Sequence, residues 1–413
     1  MQHPSRTASA GERIAVVDVL RAIALLGIII THCAQGFLAG RPPRPGFMNL
    51  SALDGFVLNL GTLLTFGKFF TIFSFLFGLS FALQMRSAAQ RGSAFTGRFT
   101  WRLVVLALIA LVHNVFYAGD ILIIYAFLGL LLIPFRAVNT RVLLVVALLL
   151  IFNIPGLVLG WRGLSAPPLN ADQQQVAAQM QAQGAQEAQR QFDIKKSGTA
   201  AEIIRTNLTD GMEGKLAFQL RSGRLWITFG LFLLGLCAGR LEIFRDTEAH
   251  RTLFRRLIWG AGALAALTTL VAIVRPARVQ AAASIGDLLV SLSWSVQQAS
   301  LSAFYVAVVT LLYWCNPVRG LLPGLAPVGK MGLTVYLTQT VFGVLLFYGF
   351  GLGLLGELGV ASAIALGILF FVVQVVLARW WMTHFSMGPV EWLWRSLTYF
   401  KLQANTPAAM KPA

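Results

Sequence analysis

Two histidines, two aspartates, an arginine and a lysine stand inside stretches where a chain that is 57% hydrophobic can least accommodate them. An ionisable side chain at membrane depth costs several kcal/mol unless paired or wet, so each is a functional candidate. In VVDVLRAIALLGIIITHC, Asp18 and Arg21 are three residues apart, which places them on one helix face as an ion pair. His32 follows Arg21 by eleven residues, about three turns and ~16 Å of helix, so the three line one stripe. In LVHNVFYAGDILIIYAFLG, His113 and Asp120 flank the Gly119 turn, close enough across the hairpin for a His–carboxylate pair. Such a pair is the core of a general base or proton relay. Asp120 also suits the cap of the helix that follows it.

Blander roles compete with each of these. Asp18 and Arg21 can form a purely structural pair, and a lone buried histidine is often no more than hydrogen-bonded packing. Lys68, in FGKFFTIFSFLFG, reads first as a snorkelling interfacial lysine and second as an anion site. Gln297, Gln298, Ser300 and Ser302 in one block, and Tyr336, Thr338, Gln339 and Thr340 in another, suit either helix-to-helix hydrogen bonds or a cavity wall. The candidate set is His113, Asp120 and His32 as catalytic groups, with Arg21, Asp18, Lys68, Gln339 and Tyr336 around the substrate. Their side chains are expected to turn inward toward one shared chamber. No metal site is expected. The three cysteines, Cys33, Cys237 and Cys315, are too few and too scattered for a disulfide framework and read as small packing residues.

The elements that must position these groups are membrane helices. Charged residues make up only 12% of the chain, about half the share usual in soluble domains. Apolar residues fall in blocks of spanning length without strand-like alternation, so the blocks are helices rather than barrel strands. Ten blocks stand out, at 14–37, 56–85, 101–117, 120–136, 141–160, 223–240, 254–274, 287–314, 329–349 and 357–378. The fold class expected is all-α, a polytopic transmembrane bundle of about ten spans. Lys68 divides the second block, leaving 56–66 along the interface and 69–85 crossing. The first block, although preceded by Arg6 and Arg13, holds Asp18 and Arg21 and lacks a small-residue cleavage site, so it reads as a retained helix.

The net charge of +17 gathers in short clusters between blocks rather than in one stripe, which argues against nucleic acid. With ten spans, the clusters at 86–102, 136–141, 240–256, 319–330 and 379–401 all fall on one side. By the positive-inside rule that side is cytoplasmic, as are both termini. The opposite loops carry only pairs such as Arg41 with Arg44 and Arg275 with Arg278. The chain divides into a membrane part at 1–161, a Gln- and Ala-rich polar insert at 162–222 on the outer side, and a second membrane part with a tail at 223–413. The insert has helix propensity but little to bury.

At these residues the chain resembles a known family. GKFFTIFSFLFGLSFALQ, HNVFYAGDILIIYAFLGLLLIPFR, GKMGLTVYLTQTVFGVLLFYGFGLG and, most specifically, GPVEWLWRSLTY from Gly388 to Tyr399 are similar to the YeiB-type bacterial membrane proteins, a domain family of unknown function. The opening DVLRAIALLGIIITH resembles the first span of the wider transmembrane acyltransferase group, whose O-acyltransferases carry an Arg, ten residues and a His; Arg21 and His32 match that spacing. The resemblance implies a multi-pass protein of the bacterial inner membrane. It implies transfer of an acyl group from cytoplasmic acyl-CoA to an envelope glycan or lipid acceptor at the outer face. His113 or His32 would then be the base, Asp120 would orient His113, and Arg21 would meet the donor. The alternative is a transporter or exporter of a small or lipid-linked solute, whose mark would be broken helices around a midplane site.

Overall fold

A computed structural model describes residues 14–39, 51–164, 170–274, 285–315 and 321–406. Arg6, Arg13, Arg41, Arg44, Arg275, Arg278 and Arg319 lie outside them. The described residues form helices and turns with no strand. The helices are α1 (Ala15–Ala34), α2 (Ala52–Leu64), α3 (Phe69–Gln90), α4 (Thr96–Phe116), α5 (Leu122–Leu132), α6 (Thr140–Ile151), α7 (Ile154–Leu164), α8 (Ala171–Ser197), α9 (Ala200–Leu208), α10 (Asp210–Arg221), α11 (Arg224–Arg240), α12 (Glu248–Val274), α13 (Ile285–Cys315), α14 (Ala326–Lys330), α15 (Gly332–Phe347), α16 (Val360–His384) and α17 (Pro389–Tyr399).

Every apolar block of the sequence is helical, but four are not simple rods. Six stretches are long and apolar enough to cross a membrane: α1, α2 with α3, α4, α12, α13 and α16. Three further spans are bent: α6 to α7 by 47°, α10 to α11 by 70°, and α14 to α15 by 79°. The α5 helix has 11 residues, about 16 Å against a hydrocarbon core of ~30 Å. The breaks have local causes. Asn153 adopts a φ of 53° between α6 and α7, and its side chain occupies the space a Cβ on Gly223 would fill at the start of α11. Two of the breaks therefore rest on each other.

The interior is held by close helix approach. Gly235 on α11 faces α3 so tightly that a Cβ there would lie 2.0 Å from the Phe75 carbonyl oxygen, and one on Gly78 would lie 1.9 Å from that of Phe232. Small residues at such crossings let backbones meet where lipid offers no hydrophobic drive. Gly230 does the same against α6. The α1 helix packs against α3, α14, α15 and α16, so the two membrane parts interleave.

The basic clusters meet at one end. Arg86 pairs with Glu242 at 2.9 Å, Arg240 donates to the Val138 carbonyl at 2.6 Å, and Arg136 bonds Thr96. Arg102 stacks on the Trp394 ring at 3.9 Å, while Arg98 and Arg395 lie over Tyr399. The loops after α3, α5 and α11 thus share an end with α17, as the charge pattern requires.

The polar insert is helical and caps the opposite end. Most of α8 is exposed, but its last turns dock: Phe192 and Lys195 are buried, Lys195 donates to the Leu38 carbonyl, Gly349 N–H donates to the Lys195 carbonyl at 2.9 Å, and Lys196 pairs with Glu357 at 2.7 Å. Burial pushes the Lys195 ammonium down from 10.5 to about 8. The unfolded chain therefore binds the extra proton between those values, and stability rises with pH across that window. Below pH 8 the full penalty of a buried charge is present. Thermal unfolding should accordingly shift upward between pH 8 and 10 in the wild type, and Lys195→Met should flatten that rise. An unchanged pH slope in the variant would contradict this reading of Lys195.

Candidate functional site

The α4 helix ends in a turn from Tyr117 to Asp120, closed by Tyr117 N–H on the His113 carbonyl at 3.1 Å and Asp120 N–H on the Tyr117 carbonyl at 3.2 Å. The turn brings the Asp120 side chain back over the last turns of α4. One carboxylate oxygen, Oδ2, accepts the Ile123 N–H at 3.2 Å and so caps α5. The other, Oδ1, lies 2.8 Å from His113 Nδ1. Nε2 of the same ring lies 2.8 Å from Thr340 Oγ1 on α15. All three are buried, with exposures of 6% for His113, 1% for Asp120 and 2% for Thr340.

Chemistry assigns the protons in this chain. A carboxylate only accepts, so Nδ1 carries the hydrogen, and in the neutral ring Nε2 then presents its lone pair to the hydroxyl. The result is the acid–imidazole–hydroxyl order of a hydrolase triad, here assembled from α4, the turn that follows it and α15. Burial strengthens each interaction, because little water competes for the partners. Aromatic rings enclose the imidazole. Tyr336 sits 5.2 Å away and Tyr117 6.2 Å, and Tyr117 lies in turn 5.3 Å from the ring of His32.

The other candidates divide between this cluster and structural duty. His32 packs against Phe37 and Tyr117, and no described side chain hydrogen-bonds its ring. Arg21 pairs with Asp18 and donates to Ser80 on α3 at 2.7 Å. By helix rise the pair sits ~16 Å along α1 from His32. Lys68 does not snorkel. It is fully buried, donating to the Thr62 carbonyl at 2.9 Å beneath the Trp294 ring at 4.8 Å. The α13 helix covers it, and Gly67, at a φ of 82°, has no room for a Cβ beside Gln298. Gln339 is helix glue. It reaches the Leu25 carbonyl at 3.3 Å and Gln374 at 3.2 Å, tying α1, α15 and α16. Ser302 likewise bonds the Lys68 carbonyl at 2.8 Å. The described residues contain no cluster of metal-ligating side chains.

A cavity of about 920 Å³ reaches the relay. It runs between α4, α15 and α17, with His113 and Thr340 among its lining residues and side chains such as Val112, Val341 and Leu397 along its length. Val112 and Val341 are 65% and 57% exposed on the bundle's surface. Arg21, His32 and Lys68 do not line this groove. Asp18 and Ser80 engage Arg21, and Thr62 and Trp294 engage Lys68, within the helix packing.

Thr340 is the relay member that spacing alone leaves among packing residues, since its partner lies 227 positions away. Arg224 and Lys215 also emerge only in three dimensions. Arg224 opens α11 between the rings of Phe70 and Phe218, at 4.5 and 5.1 Å, and Lys215 bonds Asn114 beside the relay helix. In sequence Lys215 belongs to the polar insert and Arg224 to the start of the next apolar block, and neither carries a separate signal.

Residues 238–401 match the profile of the family described as "Protein of unknown function (DUF418)". The chain is 30% identical to "Uncharacterized protein YxaH" of Bacillus subtilis (strain 168), over 95% of this chain and 96% of that one. It is 27% identical to "Uncharacterized protein YeiB" of Escherichia coli (strain K12), over 97% and 99% of the two chains. No solved structure matches it. With such similarity over nearly their full lengths, the protein belongs to the family that includes YxaH and YeiB.

Proposed function

We propose that the protein is a membrane acyltransferase that uses His113 as its general base, with acyl-CoA as donor and an acceptor hydroxyl at the outer face of the bacterial inner membrane, both termini being cytoplasmic. One observation carries the reading: a buried imidazole held at 2.8 Å by a carboxylate on one nitrogen and by a hydroxyl at 2.8 Å on the other. A histidine fixed in that tautomer is built to take a hydroxyl proton.

In the proposed reaction the acceptor hydroxyl displaces the Thr340 hydroxyl from Nε2. Its O–H bond breaks toward His113 as its oxygen forms a bond to the thioester carbonyl. Asp120 steadies the imidazolium. The C–S bond then breaks, and the CoA thiolate leaves with the proton from Nε2. Arg21, if it meets the donor, does so from the far end of α1.

A direct test supplies labelled acetyl- and palmitoyl-CoA to the purified protein in vesicles that contain envelope extract. Label should move to an acceptor. Absence of both acyl-CoA binding and transfer would overturn the proposal. The bent spans favour a second reading, an exporter, because breaks of 47°, 70° and 79° occur in both membrane parts and such breaks mark substrate sites in transporters. The two readings part at Asp120→Asn, which should stop acyl transfer but need not stop flux of a solute.

A further inference from the structure

The way into a site limits what can enter it. The cavity that reaches His113 is lined almost entirely by apolar side chains; apart from its Trp101, only His113, Thr340, Ser396 and Lys401 are polar. Its walls continue into side chains exposed on the surface of a membrane-spanning bundle, among them Leu108, Val341 and Leu345 at 54%, 57% and 50%. A sugar or a nucleotide entering by this route would shed its water against hydrocarbon and gain no hydrogen bonds in return.

We infer that the groove holds the acyl chain of a bilayer lipid, and that this lipid brings the reacting hydroxyl to His113. The inference rests on the acyltransferase reading and narrows its acceptor to a lipid-borne hydroxyl. Length supports the occupant. From His113 to Trp101, both lining the groove from α4, is twelve residues, about 18 Å of helix. Half of a ~30 Å hydrocarbon core is close to that distance. A lipid whose head lies at the relay would therefore lay its tail along the groove toward α17. At that far end the arginines are already engaged: Arg102 covers Trp394 and Arg98 covers Tyr399. Those rings secure α17 as a wall. The hydrogen-bonding group that remains near the other end is the relay itself. A lipid that merely coats the protein needs no such group at the groove's end.

The test uses the full-length protein in phosphatidylcholine vesicles doped with a diacylglycerol that carries a photoactivatable diazirine on one acyl chain. Diacylglycerol supplies both the chain and a free hydroxyl at its head. After illumination, adducts should concentrate on α4, α15 and α17. Val341→Trp and Leu345→Trp fill the groove from surface positions and should lower that labelling about tenfold, a change of ~1.4 kcal/mol in affinity. Val372→Trp, on the equally exposed face of α16, should leave it unchanged. His113→Ala should retain labelling while losing transfer, so the groove and the chemistry fail separately. Adducts spread evenly over all lipid-facing helices, or equal labelling in the filled variants, would overturn the inference.

Discussion

Replacing His113 with alanine should lower the rate of acyl transfer by about 10² to 10⁴, the usual contribution of a positioned general base. The ring is buried and bonded on both nitrogens, so the loss falls on the chemical step and KM should move little. Asp120→Asn keeps the shape but offers an amide to Nδ1, which favours the wrong tautomer and should cost a comparable factor. Asp120 also caps α5 through Ile123; asparagine caps equally well, so the folded fraction should hold. Thr340→Val separates two roles for the hydroxyl. If Thr340 only keeps the seat of the acceptor, the variant should retain most of its activity. If its loss matched that of His113→Ala, Thr340 would be the acyl-carrying nucleophile and the direct-attack sequence would be wrong. Single-turnover rates on matched amounts of folded protein make the distinction.

The largest stability effect is expected at Gly235. A Cβ there would meet the Phe75 carbonyl oxygen at 2.0 Å and the Leu79 nitrogen at 2.7 Å. Both are backbone atoms, and no side-chain rotation can relieve the clash. Overpacking a core typically costs 1–3 kcal/mol, and Gly235→Val should exceed that range because two helices must separate, at the cost of about 3 kcal/mol or more. The α3–α11 contact is among the most extensive in the bundle, and α3 supplies Ser74, which bonds Tyr125 on α5 at 2.7 Å. The variant should therefore be lost from the membrane or unfold at a much lower temperature in detergent. Gly163→Val, at a position with nothing within 4 Å of the added carbon, is the matched control. Equal thermal stability of the two variants would refute the account of α3–α11 packing.

Much of this architecture is legible in the chain before folding is known, and the reasons differ by residue. His113 and Asp120 pair across a turn of seven residues, a separation that local geometry can close. Asp18 and Arg21 pair for the same reason, one helical turn apart. The helical blocks announce themselves because lipid demands unbroken apolar runs of fixed length. What composition hides is contact between distant segments. Lys68 is buried because Trp294 covers it, more than two hundred positions on. Thr340 joins the relay through a crossing of α4 and α15 that no periodicity encodes. The bend between α6 and α7 is hidden too, since Asn153 interrupts a run whose hydropathy continues across it. The partners of Arg21 on α3 and of Lys68 on α13 are hidden for the same reason, since Ser80 and Trp294 lie far along the chain.

The assignment that all of this depends on is a lone pair on His113 Nε2, facing the groove. Nitrogen-15 NMR of the protein with labelled histidine, with His113 identified by subtracting the spectrum of His113→Ala, reads that atom directly. The account predicts hydrogen on Nδ1 and an accepting Nε2. A ring protonated on Nε2 alone would show that Asp120 does not hold the base ready, and the proposed chemistry would have to be abandoned.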